Sequence, residues 1–498
     1  MPNPQVPKML WLVSRLADGA FLLGAMVSLL VTVFSGYRIF NLPSTWVSLG
    51  FFLTTSILGV VCSLFFLFAL RCKRETKSNI LLVGLSVSVP VFCVETYLTV
   101  FPRMYEGSLP PLVSEWDQRT KIQVIDDLRV NGVQAYSNFS GSVLIATNGL
   151  PSALDSDNIF PLGSISNTTN VYCNENGYWA IFRSDEHGFN NPFGGYLTGQ
   201  VDVMLTGDSF AEGACVRPEE SIAAILRNTG LRVISLGKGG NGTLLEFASF
   251  IEYVKPIRPQ TVIWMHYAND LNDLGYREMN SSFLTKYLQQ LDYSQNLISR
   301  QEEVDQTLKI FIDDQYRKHK QTVSVVPEET NNRVASAPVN QAKATPDGQE
   351  DKKGGSFSAV SVTKVIEIMK LTRLRELTGL RPSRPDPAPG AAAIFQIILA
   401  RVKESVSDWG GHLYLAYLPP YERYQTGRDH DVYFRNFVFR TANELDIPVI
   451  DIHTEVFKSH PDPLSLFPRR KARHYNARGY RLVAEAISRR FETDDLFR

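Results

Sequence analysis

Three stretches near the N-terminus are almost continuously apolar, whereas the later chain alternates short apolar runs with amphipathic ones. The early stretches, about Ala17–Phe34, Trp46–Leu70 and Ile80–Phe101, each approach or exceed the roughly 20 residues a helix needs to cross a bilayer core. A cleaved export signal would be followed by soluble sequence rather than by two more such runs, so three membrane spans are expected. From Asp202 onward the period changes. Strands are expected at Val203–Thr206, Leu231–Leu236, Thr261–His266, His412–Leu418 and Pro448–Ile452. Helices are expected between them at Glu219–Arg227, Leu244–Val254, a long stretch near Phe283–Lys318, Ile394–Val406 and Val432–Leu445, with a last one at about Arg478–Arg490. Short apolar strands alternating with amphipathic helices predict an α/β fold with a doubly wound parallel sheet. Right-handed crossovers would bury both of its faces.

The same pattern divides the chain. Residues 1–101 read as a three-helix membrane anchor, and 102–200 as a turn-rich lead-in with strand-like pieces at Ser142–Ala146 and Trp179–Phe182. Residues 201–320 and 391–498 hold the two parts of the α/β domain. Between them, 321–390 is an insertion. Its first part, to about Gly355, is rich in Ser, Thr, Asn, Gln, Pro and charge, and is expected to be disordered. Val362, Val365, Ile366 and Met369 then recur at helical spacing, and a proline-rich linker runs through Arg381–Pro387.

Charge adds a direction. The 498 residues carry 51 basic and 51 acidic side chains, so no basic excess exists to neutralise phosphates and a nucleic-acid partner is not expected. The loop from Arg71 to Lys77 holds four positive charges, and Lys8 and Arg15 precede the first span, whereas the loop after it has only Arg38. Positive loops stay in the cytoplasm. The expected topology is therefore a multi-pass protein of the cell membrane, in a bacterium the inner membrane. Its N-terminus would be cytoplasmic, and everything beyond Phe101 periplasmic or extracellular. Of five cysteines, only Cys173 and Cys215 fall in that exported part. In an oxidising compartment they form one disulfide or remain as two buried thiols.

Ligands of open parallel sheets bind beyond the carboxyl ends of the strands, and four motifs sit at such ends. The first strand runs into Gly207-Asp208-Ser209, the second into Gly237-Lys238-Gly239-Gly240-Asn241-Gly242, and the third into Asn269-Asp270. The fifth leads through a loop to His474. A serine on a strand-to-helix turn suits a nucleophile, and a histidine can take its proton. The backbone N–H of Ser209, those of Gly240 or Gly242, and the Asn269 amide are candidate oxyanion donors, the glycines permitting close approach.

The order Gly-Asp-Ser, Gly, Asn-Asp, His resembles the SGNH/GDSL hydrolase superfamily over about Asp202–Phe491, interrupted by the insertion. Ser184–Pro192 is similar to the segment that precedes Gly-Asp-Ser in exported bacterial members. The resemblance implies a flavodoxin-like sheet and Ser-His-Asp esterase chemistry without metal or other cofactor. The carried-over site residues are Ser209, His474, Gly240 (or Gly242) and Asn269. One position departs: the Asp usually found two or three residues before the histidine is replaced by Ala472 and Lys471, inside the basic run Arg469–Arg473. That run predicts a lowered His474 pKa. Asp462, Asp451 and Asp270 are candidate substitutes for the acid.

The expected function is a membrane-anchored extracytoplasmic serine esterase acting on O-acetyl groups, with an acylated cell-surface glycan as substrate class. Two alternatives accompany it. One is a weakly active or silent module that binds glycan or scaffolds an assembly; the other is an O-acyltransferase served by a membrane partner.

Overall fold

The computed structural model describes residues 6–41, 46–100, 116–155, 157–196, 201–324, 368–371, 374–375, 390–425, 432–471 and 474–497. Most of the expected insertion, including Val362, Val365 and Ile366, the proline-rich linker, and Ala472 and Arg473 lie outside these residues. The described residues fall into two units, one within Met1–Pro110 and Ser356–Asp386, the other within Pro111–Gly355 and Pro387–Arg498.

Among the described residues, the first unit includes the long helices α1 (Val6–Asn41), α2 (Trp46–Ala69) and α3 (Arg74–Val100). Stretches Val13–Tyr37, Phe52–Ala69 and Arg74–Thr99 are long and apolar enough to cross a membrane. Two acidic groups of this region are engaged within the unit. Asp18 pairs with Lys77 at 2.6 Å, and Glu95 accepts a hydrogen bond from the Leu374 backbone at 2.7 Å.

The second unit is built on five parallel strands: β6 (Val203–Thr206), β7 (Val233–Ser235), β8 (Thr261–Tyr267), β9 (His412–Leu418) and β10 (Val449–Asp451). They lie in the order β10-β9-β8-β6-β7, every pair parallel. Numbered within the sheet this is 2-1-3-4-5, the flavodoxin-like order, whose switch point falls between the first and third strands. The strands alternate in period 2, as half-turn geometry requires. Met204, Val262, Trp264, Leu413, Leu415 and Tyr417 enter one core, with helices α7 (Thr243–Ser249) and α10 (Ala391–Asp408). Val203, Leu205, Ile263, Met265, Tyr414, Ala416 and Leu418 enter the other, with α6 (Ile222–Arg227) and α12 (Ala477–Thr493). Both faces are thus covered, and the strands read as continuous apolar runs for that reason.

The lead-in packs onto the first of these cores through Phe139, Leu144, Ile159, Phe160, Leu162 and Phe189. It carries α4 (Lys121–Val130) and a small sheet in which β1 (Ala135–Ser137), β4 (Thr169–Val171) and β5 (Ile181–Arg183) lie side by side. A two-stranded ribbon joins β2 (Leu150–Pro151) to β3 (Asn158–Ile159).

Two expected elements differ. The apolar piece at Ser142–Ala146 is not a strand; Gly141–Leu144 forms a short 3₁₀ turn, started by the Ser140 hydroxyl accepting from the Ser142 N–H. The long helix expected near Phe283–Lys318 is broken, and only α9 (Gln301–Ser324) is continuous. The buried Glu252 carboxylate takes the Gln295 and Leu297 backbone N–H groups at 2.5 and 3.0 Å. Those donors are thereby lost to a helical ladder.

Candidate active site

Ser209 stands at the carboxyl end of β6, at the switch point, as first residue of the short helix α5 (Ser209–Glu212). The turn into it is tight. A side chain at Gly207 would meet the Ala211 Cβ at 2.9 Å and the Met265 carbonyl at 3.0 Å, so only glycine fits. Asp208 caps α5 by accepting the Phe210 N–H at 2.9 Å, which orients the serine at the helix start. Burial pushes the Asp208 carboxyl up to about 6, against the opposing pull of the Phe210 N–H and His474.

His474 arrives from the other end of the chain, three residues before α12. Asn476 caps that helix, accepting the Gly479 N–H at 3.1 Å, and the buried Tyr475 anchors the loop by donating to the Pro419 carbonyl at 2.8 Å. The ring of Phe210 packs 5.0 Å from the imidazole. In this setting His474 Nε2 lies 2.8 Å from Ser209 Oγ. The fold thus brings together Ser209 and His474, separated by 265 residues.

The other imidazole nitrogen finds an unexpected partner. His474 Nδ1 lies 3.2 Å from Glu175 Oε2, and the same oxygen accepts the His474 backbone N–H at 3.0 Å. Asp462, Asp451 and Asp270 are occupied elsewhere, which corrects the expectation for the acid. Asp462 pairs with Arg470, Asp451 accepts from Thr454 Oγ1 at 2.7 Å, and the buried Asp270 accepts the Tyr267 N–H at 2.7 Å beside His266. Glu175 lies at the tip of the β4–β5 hairpin. The tip is held by the Cys173–Cys215 disulfide and by Asn176 Nδ2, which donates to the Cys215 carbonyl at 2.9 Å. Cys215 follows three residues after α5. The hairpin is therefore tied to the segment that carries Ser209, and the two cysteines are bridged rather than free. The bridge spans 42 residues, for which loop-closure entropy is worth about 4 kcal/mol.

The expected sign of the His474 shift is also corrected. Burial alone would lower its pKa. The charge and hydrogen bond of Glu175, with Asp208 and Glu212 behind, outweigh it and hold His474 above its ordinary value. The basic run is partly quenched: Arg470 pairs with Asp462, and the Arg469 guanidinium lies 3.7 Å over the Trp116 ring.

The loops after β7 and β8 flank β6 by strand order. Gly240 has φ +78°, a left-handed backbone, and a Cβ there would meet Ser142 Oγ at 2.7 Å. Asn269 starts helix α8 (Asp270–Tyr276) and gives one amide hydrogen to Asp273 at 2.8 Å; an amide carries two. Gly242 is not available as a donor. Its N–H is given to Glu278 Oε1 at 2.8 Å, and Leu244 N–H to the other oxygen at 2.8 Å, capping α7. Burial pushes the Glu278 carboxyl up to about 7 despite these donors.

Beneath the site is a buried ion pair. Lys238 Nζ meets Glu212 Oε1 at 2.6 Å, both side chains 0% exposed. The amine also donates to Asn138 Oδ1 and Ser164 Oγ at 2.8 and 2.9 Å, and Glu212 Oε2 accepts the Gly239 N–H at 2.7 Å. Because Glu212 belongs to α5, the network joins the helix of Ser209, the glycine loop and the lead-in. Glu175 escaped sequence reasoning because it lies 299 residues from His474. The one available signal was Cys173, two residues before it, set against Cys215, six residues after Ser209.

The protein is thus of α/β class, with a Ser–His–carboxylate array at the switch point of a flavodoxin-like parallel sheet. No protein-family model matches the chain, and no curated protein does. Among solved structures it is similar to a G-D-S-L family protein from Desulfitobacterium hafniense DCB-2, with 16% identity, 58% of this chain and 99% of that one covered, and a TM-score of 0.30. It is also similar to the lipase/acylhydrolase of Enterococcus faecalis, with 12% identity, 59% and 97% covered, and a TM-score of 0.30. A third is the acetyl xylan esterase AlAXEase, with 12% identity, 58% and 99% covered, and a TM-score of 0.28.

Proposed function

We propose that this chain is a serine esterase acting through an acyl-enzyme. The observation that carries the reading is the array Ser209 Oγ–His474 Nε2 at 2.8 Å with Glu175 on Nδ1 at 3.2 Å. Glu175 accepts the Nδ1 proton, so the Nε2 lone pair faces the serine hydroxyl. As Ser209 Oγ attacks an ester carbonyl, His474 takes its proton and Glu175 stabilises the resulting imidazolium. The proton then passes to the departing alkoxide. Water, activated by the same histidine, releases the acid and restores Ser209. The Ser209 N–H, the Gly240 N–H and the Asn269 amide are the proposed donors to the oxyanion.

The proposed setting is extracytoplasmic, anchored by α1–α3. The positive-inside bias and the Cys173–Cys215 disulfide support it, since disulfides persist in oxidising compartments. The proposed substrate class, O-acetyl esters of a cell-surface glycan, rests on the resemblance to exported SGNH proteins. Transfer of the acyl group to an acceptor hydroxyl, supplied through a membrane partner, would use the same acyl-enzyme. The proposal of a silent module loses its main motive, because the histidine has a carboxylate.

The test uses the full-length chain in detergent, a chromogenic acetyl ester and a fluorophosphonate probe. Wild type is expected to hydrolyse the ester and to label at Ser209, and Ser209→Ala to do neither. Hydrolysis of equal rate in Ser209→Ala would reject the assignment.

A further inference from the structure

We propose that the Cys173–Cys215 disulfide is a positioning element of the reaction, holding Glu175 against His474, so that its loss lowers turnover by releasing the acid. The proposal rests on the nucleophile reading above. The acid is supplied by a hairpin of the lead-in, whereas nucleophile and base come from the sheet domain. Hydrogen bonds also hold the hairpin tip: Asn174 Nδ2 donates to the Asp117 carbonyl at 2.9 Å, Asp117 N–H to the Gly177 carbonyl at 2.8 Å, Asn176 to Cys215, and the Tyr178 hydroxyl to Glu220 Oε2 at 3.0 Å. The covalent tie enters two residues before Glu175 and ends on the segment that follows α5. Its far end lies within the site, since Cys215 Sγ is 3.8 Å from His474 Nδ1. Cys215 also holds φ +63°, a left-handed backbone costly for a non-glycine residue, as found where surrounding structure over-determines a functional position. The bridge is thus the covalent tie between the hairpin and the nucleophile segment, and it lies against the imidazole. Displacements of about 1 Å in such arrays cost on the order of 100-fold in rate.

A structural role alone predicts something different from a role exercised through Glu175, and a double-mutant cycle separates them. Cys173→Ala/Cys215→Ala is made in the wild-type and Glu175→Gln backgrounds of the full-length chain in detergent. The rate of fluorophosphonate labelling at Ser209 is then followed against pH. In the wild-type background the cysteine pair of substitutions is expected to lower the rate about 10- to 100-fold, and to move the acid limb to lower pH, towards that of Glu175→Gln. In the Glu175→Gln background it is expected to cost less than about twofold. Equal fractional losses in the two backgrounds, or an undiminished rate in the first, would overturn the proposal while leaving the nucleophile reading intact. Wild type that does not label at Ser209 would sink that reading itself.

If the cysteine variant does not fold, the folded wild type is reduced with a dithiol instead. Each bridge takes two electrons and two protons to give two thiols. A chelator is included because the freed Cys215 thiol, Glu175 and His474 hold ligand atoms within 4.8 Å of one another, and such a set suits zinc. Labelling should fall on reduction and return on reoxidation. An unchanged rate with both thiols shown to be free would overturn the proposal.

Discussion

Replacing Glu175 by Gln tests the site most directly, because it removes a charge and little volume. In the wild type a carboxylate lies 3.2 Å from the ring nitrogen that becomes cationic in the transition state. The imidazole is 25% exposed and the carboxylate 16%, so solvent screens the pair only in part. At that separation and an effective dielectric of about 20, a full charge pair interacts by about 5 kcal/mol. Since about 1.4 kcal/mol is tenfold in rate, the expected loss in kcat is on the order of 1,000- to 10,000-fold, with KM little changed. The glutamine amide can also present hydrogens to Nδ1 and favour the wrong tautomer, which acts in the same direction. A pH signature accompanies the loss. His474 must be neutral to act, and Glu175 holds its pKa above the ordinary value of 6.5. Wild-type kcat/KM should therefore rise with pH through a midpoint above 6.5, and the midpoint should move to lower pH in Glu175→Gln. The assay is hydrolysis of the acetyl ester across the pH range by the full-length chain, with Asp462→Asn and Asp451→Asn as comparisons. Glu175→Gln within about threefold of wild type, with an unmoved acid limb, would show that another group orients His474.

Two further outcomes test the scaffold beneath the site. Lys238→Met leaves Glu212 buried without its cation and should cost about 3–5 kcal/mol of stability, read as a lowered midpoint of chemical denaturation. A midpoint equal to wild type would refute a stabilising role for the Lys238–Glu212 pair. Gly240→Ala forces a side chain into a left-handed backbone at φ +78° and against Ser142 Oγ. It should cost at least about 1–2 kcal/mol, and lower kcat if that N–H serves the oxyanion; unchanged stability and kcat would contradict both.

Much of the fold is a local property and was readable as such. Val203–Thr206 and His412–Leu418 are apolar because both faces of their sheet are covered. Gly207-Asp208-Ser209 marks its own turn, because a tight strand-to-helix connection needs glycine and a cap in fixed positions. Even His474 was placed by its distance from the last helix. The regions that misled were those where a distant group intervened. Glu252 captured the N–H groups of Gln295 and Leu297 and broke a helix that periodicity supported. Glu278, 36 residues beyond Gly242, took the donor assigned to the oxyanion.

By itself, then, the sequence determined three long apolar helices, a parallel sheet with its loops in order, and a serine and histidine at the strand ends. Each of these follows from hydrophobic period and turn chemistry within a few residues. Only the tertiary structure decided which carboxylate serves the histidine, and hence the sign of its pKa shift. An acid is defined by where its charge stands relative to the imidazole, and that distance is set by a hairpin and a disulfide. No pattern along the chain encodes it: three carboxylates nearer in sequence, Asp270, Asp451 and Asp462, stand beside other partners, and the hairpin puts Glu175 on the imidazole.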